Sequence, residues 1–267
     1  MSDSPADPGP HGLAPVSSRY GLQRGNGLYD RVVADVGGRI VSGELAPGTT
    51  IYVDQVCEQL GISRSVVREA MRTLSAMGLV ESRPQRGTRV QPREAWDLLN
   101  PRIVEWRGEG PEYLQQMLEL LELRLGVEQA AAHFAAERMS DQARTEIVAA
   151  GHLMQRSFEQ QDAYTFFCAD AEIHRLMLEG SGNAVIAQFA GTVTTALRIR
   201  GSHESRSYSA AQSLDARSAN RHLQLAEALA AHDAAAAQNA VSAIIFATLA
   251  ETEHILAVRR QDRPRAR

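Results

Sequence analysis

Lysine is missing from this chain: all 28 basic residues are arginine. Alanine is abundant too, so the imbalance reads as biased base composition and not as a function built on arginine. Cysteine is nearly missing as well. Cys57 and Cys168 both fall inside expected helices, which excludes a disulfide framework. No apolar run approaches the length of a membrane span, and the N-terminus carries no apolar signal core. These two absences lead to the expectation of a soluble cytoplasmic protein with no membrane partner. An excess of positive charge is also lacking: the net charge is −4, so any contact with nucleic acid has to come from a local patch. What the chain does have is 267 residues, 44% of them hydrophobic, enough for two packed domains of ordinary size.

Proline and glycine divide the chain. Residues 1–26 hold Pro5, Pro8, Pro10 and Pro15 and too little apolar surface to repay ordering, which predicts a disordered arm. Residues 257–267 read as a basic tail. The block at 27–92 reads as three helices and a pair of strands. "LYDRVVADVGGRIVSGEL" has Val32, Val33, Val36 and Ile40 on one side. "VDQVCEQL" is a second helix, "GIS" at 61–63 is a turn, and Ser63 is placed to cap a third helix. On that helix Val67, Met71 and Leu74 form an apolar stripe, while Arg64, Arg68 and Arg72 lie four apart on another face. Leu79–Ser82 and Thr88–Gln91 read as two strands around "RPQRG", a β-wing. Between Gly61 and Arg93 there are seven arginines against two acids, the footprint of a recognition helix and wing that meet phosphates. Arginine also reads guanine O6 and N7 with two hydrogen bonds. The competing reading is a solvated helix face with arginines drawn from a biased genome.

From residue 93 onward the pattern is almost purely helical: a linker helix at 93–110, then six or seven helices in an all-α bundle at 111–256. Pro111 opens one long helix. Asp170 and His174 are spaced i, i+4 on a predicted helix, and His222 lies on a later one. One aspartate and two histidines suit a borderline divalent ion such as Zn²⁺, Ni²⁺ or Mn²⁺; the same spacing also makes an ordinary ion pair on a helix surface. Arg124 lies among apolar neighbours on the long helix. A buried arginine needs an anion, which Glu128 at i+4 or a ligand would supply. Arg198, in "VTTALRIR", is a second arginine suited to gripping a carboxylate.

The segment "GISRSVVREAMRTLSAMGLVESRPQRGTRV" resembles the winged helix-turn-helix of GntR-type bacterial regulators, and the helical block C-terminal to it resembles the FadR-type all-helical FCD effector domain, over about residues 28–255 in all. The resemblance implies a mainly α fold and a homodimer on a short palindromic operator, released by a small-molecule effector. It implies DNA contacts at Ser63, Arg64, Ser65 and Arg68, with Arg86 and Gly87 in the wing. Where many members carry arginine early in the second helix, this chain has Asp54. It also implies a metal set of Asp170, His174 and His222, with Ile244 at the place of a further histidine. Arg124, Arg198, Asp170, His174 and His222 would line the effector pocket. "EAWDLLNPRIVEW", with Trp96 and Trp106, resembles the linker of regulators of galactonate and gluconate operons, so an aldonic acid or its phosphate is the expected effector. A metal-dependent enzyme using Asp170, His174 and His222, and a regulator responding to another organic acid, are the alternatives.

Overall fold

The computed structural model describes residues 27–83, 87–207 and 214–261. The predicted arm at 1–26 and most of the wing tip lie outside them. The winged unit holds α1 (Leu28–Val41), β1 (Thr50–Ile51), α2 (Val53–Leu60), α3 (Arg64–Ala76), β2 (Val80–Arg83) and β3 (Gly87–Val90). Val32, Val33, Val36 and Ile40 of α1 pack on Val67, Ala70, Met71 and Leu74 of α3, all buried. The apolar stripe read from the sequence is therefore the core of this unit. Gly61 ends α2 with φ +68 in the left-handed region, where a Cβ is costly, and its N–H bonds Cys57 O, so α3 can leave at a steep angle. The strands form an antiparallel sheet in the order β1-β3-β2, with Val80 opposite Val90 and Thr50 opposite Arg89. The two-residue β1 is not legible in the sequence, being too short to show a period.

A 3₁₀ turn (Arg93–Ala95) and α4 (Pro101–Gly108) come next. Asn100 caps α4 by accepting from Arg102 N, and Pro101 takes the first position. One side of α4 belongs to the winged unit. Ile103 joins its core, Arg102 pairs with Asp30 at 2.6 Å, and the Trp106 ring lies on Gly37 of α1. The other side packs on the helical bundle: Val104 meets Leu120 and Ala196, and Gly108 lies against Ile199.

That bundle contains α5 (Tyr113–Arg138), α6 (Asp141–Glu159), α7 (Ala163–Gly180), α8 (Ala184–Ser207), α9 (Ala216–Ala230) and α10 (Ala234–Gln261). Each presents a buried stripe at helical spacing, such as Met117, Leu121, Ala131 and Ala135 on α5. Helix α10 runs along α5 and α9, and α7 packs between α6 and α8. Two expectations need correction. Residues 257–261 continue α10 and are not tail. And Ala234–Arg259 is long and apolar enough to cross a membrane by length and composition. Its Ala237, Val241, Ile244 and Ile245 are buried in the bundle core.

Two adjacent glycines of α1 test the α1–α4 contact. A Cβ at Gly37 would come within 2.3 Å of the Trp106 ring, whereas one at Gly38 would meet nothing within 4 Å. Gly37→Ala should therefore destabilise the protein by roughly 1–3 kcal/mol in urea denaturation, through overpacking. Gly38→Ala should stabilise it by up to about 1 kcal/mol, since alanine is the better helix former.

Candidate functional site

The first surface is the exposed face of α3. Ser63 occupies the N-cap position but supplies no cap: its side chain makes no cap bond, and its Oγ lies 3.1 Å from Ser65 Oγ. Arg64 is exposed and its Nε is 2.9 Å from Asp54 Oδ1 on α2. Arg68, one turn on, is exposed and has no ion pair among the described residues. Arg72 is held by Glu69, and Arg89 donates from Nε to Gly48 O at 3.0 Å. Arg93 does not join this face, because Glu112 and Glu119 of the bundle side hold it. Gly87 opens β3 with φ +77. Arg86 lies outside the described residues.

The second site lies inside the bundle. Asp170 and His174 project from one face of α7, and His222 reaches them from α9; all three are buried. Asp170 Oδ1 is 3.4 Å from His174 Nε2 and 3.0 Å from His222 Nε2, and the two rings meet edge to face at 5.5 Å. The rings are fixed from behind. His222 Nδ1 donates to Ser218 O at 2.7 Å, and His174 Nδ1 lies 2.6 Å from Glu128 Oε2. A backbone carbonyl only accepts, so Nδ1 of His222 carries its proton, and a neutral ring turns the Nε2 lone pair toward Asp170. Lone pair facing carboxylate at this distance is repulsive unless a positive charge lies between them. A second ring proton or a metal ion supplies one. Asp170 Oδ1, His222 Nε2 and Glu128 Oε2 are buried, and none completes an aligned hydrogen bond. The three ligand atoms of Asp170, His174 and His222 lie within 4.8 Å of one another. Two imidazoles and a carboxylate, with outer partners orienting both rings, fit a borderline divalent ion.

Burial alone would raise both acids of this cluster. For Asp170, the contact with His222, helped by His174 and Arg200, outweighs burial and holds the carboxyl well below the usual range. For Glu128, Arg124 and His174 outweigh it and lower the carboxyl to about 2.

Arg124 donates from Nε to Glu128 at 2.6 Å and lies over His174, 3.3 Å from its Nε2. It faces a recess of only about 10 Å³, the space of one water. A cavity of about 400 Å³ opens on the other side of Asp170, between α7, α8, α9 and α10. Its charged lining is Asp170, Glu204, Asp215 and Glu251 with Arg200, Arg217 and Arg221; Ile244 contributes hydrocarbon and Ser218 and Thr248 are its hydroxyls. Neither Arg124 nor Arg198 is in that lining. Arg198 is exposed, and the inward position on α8 belongs to Arg200. The sequence carries a signal for this, since Arg200 continues the buried stripe of Val193, Ala196 and Leu197 at helical spacing whereas Arg198 breaks it. Arg200 is already engaged, by Glu204 at 2.5 Å, Glu251 at 3.1 Å and Thr248 at 3.1 Å. Arg221 is not: its buried Nε has no hydrogen-bond partner, and its Nη2 is 3.6 Å from Asp215. His203, also on α8, stacks on Tyr113 at 3.8 Å and donates to Gly108 O at 2.7 Å.

Comparison with known proteins gives three findings. Residues 28–90 match the family of bacterial regulatory proteins called gntR, and residues 119–247 match the FCD domain. The chain is 31% identical over 170 residues to the galactonate operon transcriptional repressor of Escherichia coli K12, spanning 63% of this chain and 73% of that protein. It is 30% identical over 145 residues to a probable D-xylose utilization operon transcriptional repressor of Paenarthrobacter nicotinovorans, spanning 54% and 55%. Among solved structures, Lar of Listeria monocytogenes, described as controlling expression of the agr system, superposes with a TM-score of 0.55 at 17% identity, covering 85% of this chain and 97% of that one. This last likeness concerns the fold alone.

The Arg124–Glu128–His174 contact is testable by itself. Glu128→Gln leaves two buried groups without their anion and should cost about 3–5 kcal/mol in chemical denaturation. Arg124→Met in the same background should restore part of that loss, because the stranded guanidinium is then gone.

Proposed function

Because the chain belongs to the GntR family of bacterial regulatory proteins and carries an FCD domain, we propose that it represses a sugar-acid catabolic operon and leaves its operator when a free aldonic acid such as gluconate fills the 400 Å³ cavity. Its domains and relatives are those of transcription regulators, not of enzymes. In this reading residues 27–92 bind operator DNA in the cytoplasm as one half of a homodimer, residues 93–110 are the link, and residues 111–256 hold the effector. Ser63, Arg64, Ser65 and Arg68 face the major groove, and the wing, with Arg86 and Gly87, tracks the backbone.

One observation carries the effector reading. Asp170 Oδ1 and Arg221 Nε are buried, lack hydrogen-bond partners, and belong to residues lining one cavity. An unpaired buried polar atom is costly, so a cation between Asp170 and the two rings, and a ligand anion drawn to the Arg221 guanidinium, would each relieve one of them. Charge narrows the class. Four carboxylates face three arginines in the lining, so the lining on balance repels anions. A divalent ion held by Asp170, His174 and His222 would shift that balance by two to a single positive excess, which would suit a monocarboxylate better than a doubly charged phosphate ester. When bound, such an ion supplies a Lewis-acidic centre for ligand oxygens. The name of the galactonate repressor supports the same ligand class.

The route to the DNA runs through α8. Its inner face carries Arg200 and Glu204 to the cavity, and its outer face carries Ile199 and His203 to α4. An effector that binds one setting of α8 better shifts the population of α4 positions and so the spacing of the recognition helices.

Gel-shift titration of operator with gluconate, galactonate and their phosphates tests this. Arg221→Ala should leave operator affinity unchanged and raise the effector concentration for release at least about tenfold, since one charged hydrogen bond contributes roughly 1.5–3 kcal/mol. Arg198→Ala should behave as wild type. Elemental analysis should find a divalent metal in wild type that is lost in His222→Ala, and chelation should weaken the effector response. Release of Arg221→Ala at wild-type effector concentrations would place the anion elsewhere.

A further inference from the structure

We propose that Asp54 determines operator specificity by holding Arg64 in one orientation, so that its two Nη groups are presented to a guanine. This rests on the reading of α3 as the DNA-facing helix.

Asp54 is the second residue of α2 and Arg64 the first of α3, so the pair spans the turn between the two helices. Asp54 Oδ1 is 2.9 Å from Arg64 Nε, and both side chains are about 70% exposed. An ion pair that exposed adds little to stability, so the fold does not need it. Its position makes it costly instead, because an acid beside a recognition helix repels phosphates. The geometry points to a use that offsets this cost. A guanidinium offers two edges for bidentate recognition, one made of Nε with an Nη and the other of both Nη groups. Asp54 lies against the Nε side of the guanidinium, so a carboxylate screens the first edge and the second is the one left for a base. Guanine O6 and N7 accept just such a pair of parallel donors. The charge is also shared out. Arg64, neutralised by Asp54, has less attraction for phosphate anywhere on the duplex, whereas Arg68, one turn further along, makes no ion pair among the described residues. Arg64 is thereby suited to reading a base and Arg68 to holding the backbone.

The test is selection of binding sites from a randomised DNA pool by the full chain, with competition gel shifts across a salt series afterwards. Arg64→Ala should relax the preference at one G·C pair of each half-site. Asp54→Ala should relax the same pair, by roughly tenfold or more, the scale of one bidentate base contact. It should also tighten binding to unrelated DNA and steepen the salt dependence by about one phosphate contact, because Arg64 is then free to seek the backbone. Asp54→Asn keeps an acceptor for Nε and should keep most of the guanine preference while still gaining unspecific affinity. A wild-type preference at that pair in Asp54→Ala would overturn the proposal. So would a change at a different pair, which would mean that Asp54 touches a base itself. If wild-type protein enriches no sequence at all, the operator reading fails, and this proposal with it.

Discussion

A carboxylate oxygen enclosed with two imidazole nitrogens is the constraint around which the helical bundle is arranged. Asp170 Oδ1 lies 3.0 Å and 3.4 Å from the two Nε2 atoms, and Asp170 borders the cavity above it. In a low-dielectric interior such a cluster tolerates no free choice of ring orientation. Ser218 O fixes one ring, Glu128 lies 2.6 Å from the other, and Glu128 is itself wholly buried. A buried Glu128 demands Arg124, which explains why an arginine stands in the apolar stripe of α5. One polar requirement thus recruits residues from three helices. The alanines of the same stripe let α10 approach α5 closely enough to close the bundle.

The winged unit is tied to that bundle by small residues more than by charge. Gly37 leaves room for the Trp106 ring, and Gly108 leaves room for Ile199, so α4 is wedged between α1 and α8 without slack at either end. Thr192 adds a bond to Leu99 O at 2.5 Å, and Gln116 another to Val104 O at 2.8 Å. A helix held by close steric contact on both sides moves as a rigid body when either neighbour moves, because packed side chains do not compress. Arg107 gives the wedge its polar anchor: it is buried, and it shares Glu119 with Arg93 from the turn after the wing.

Much of this is legible in the sequence, for identifiable reasons. Long helices with a clean apolar period, such as α3 and α5, can be read nearly to their ends, and Asp170, His174 and His222 come together as their residue types suggest. The placement of the arginines is less legible. Arg198 and Arg200 differ by two positions and therefore by more than half a turn, so naming the wrong one reverses the face. Arg124 does lie inside, but which of its two possible anions holds it depends on Glu128 being wholly buried with it. Ser63 sits at the cap position without making the cap, because its hydroxyl turns to Ser65. Residue type and spacing tell where a charge can reach; they do not tell which partner has already taken it.

That distinction governs how charge serves this molecule. Counted along the chain, seven arginines crowd the recognition helix and wing, yet among the described residues Asp54, Glu69, Glu112 and Glu119 engage Arg64, Arg72 and Arg93. The field that DNA would meet is weaker than the count suggests, and it is concentrated where an arginine makes no ion pair among the described residues, as at Arg68. The cavity obeys the same logic: Arg200 is saturated by Glu204, Glu251 and Thr248, so it shapes the wall, while Arg221 is held only loosely, by Asp215 at 3.6 Å, with its buried Nε unpartnered. In a chain with net charge −4 and no lysine, affinity for an anion is decided less by how many arginines are present than by which of them the fold leaves unpaired.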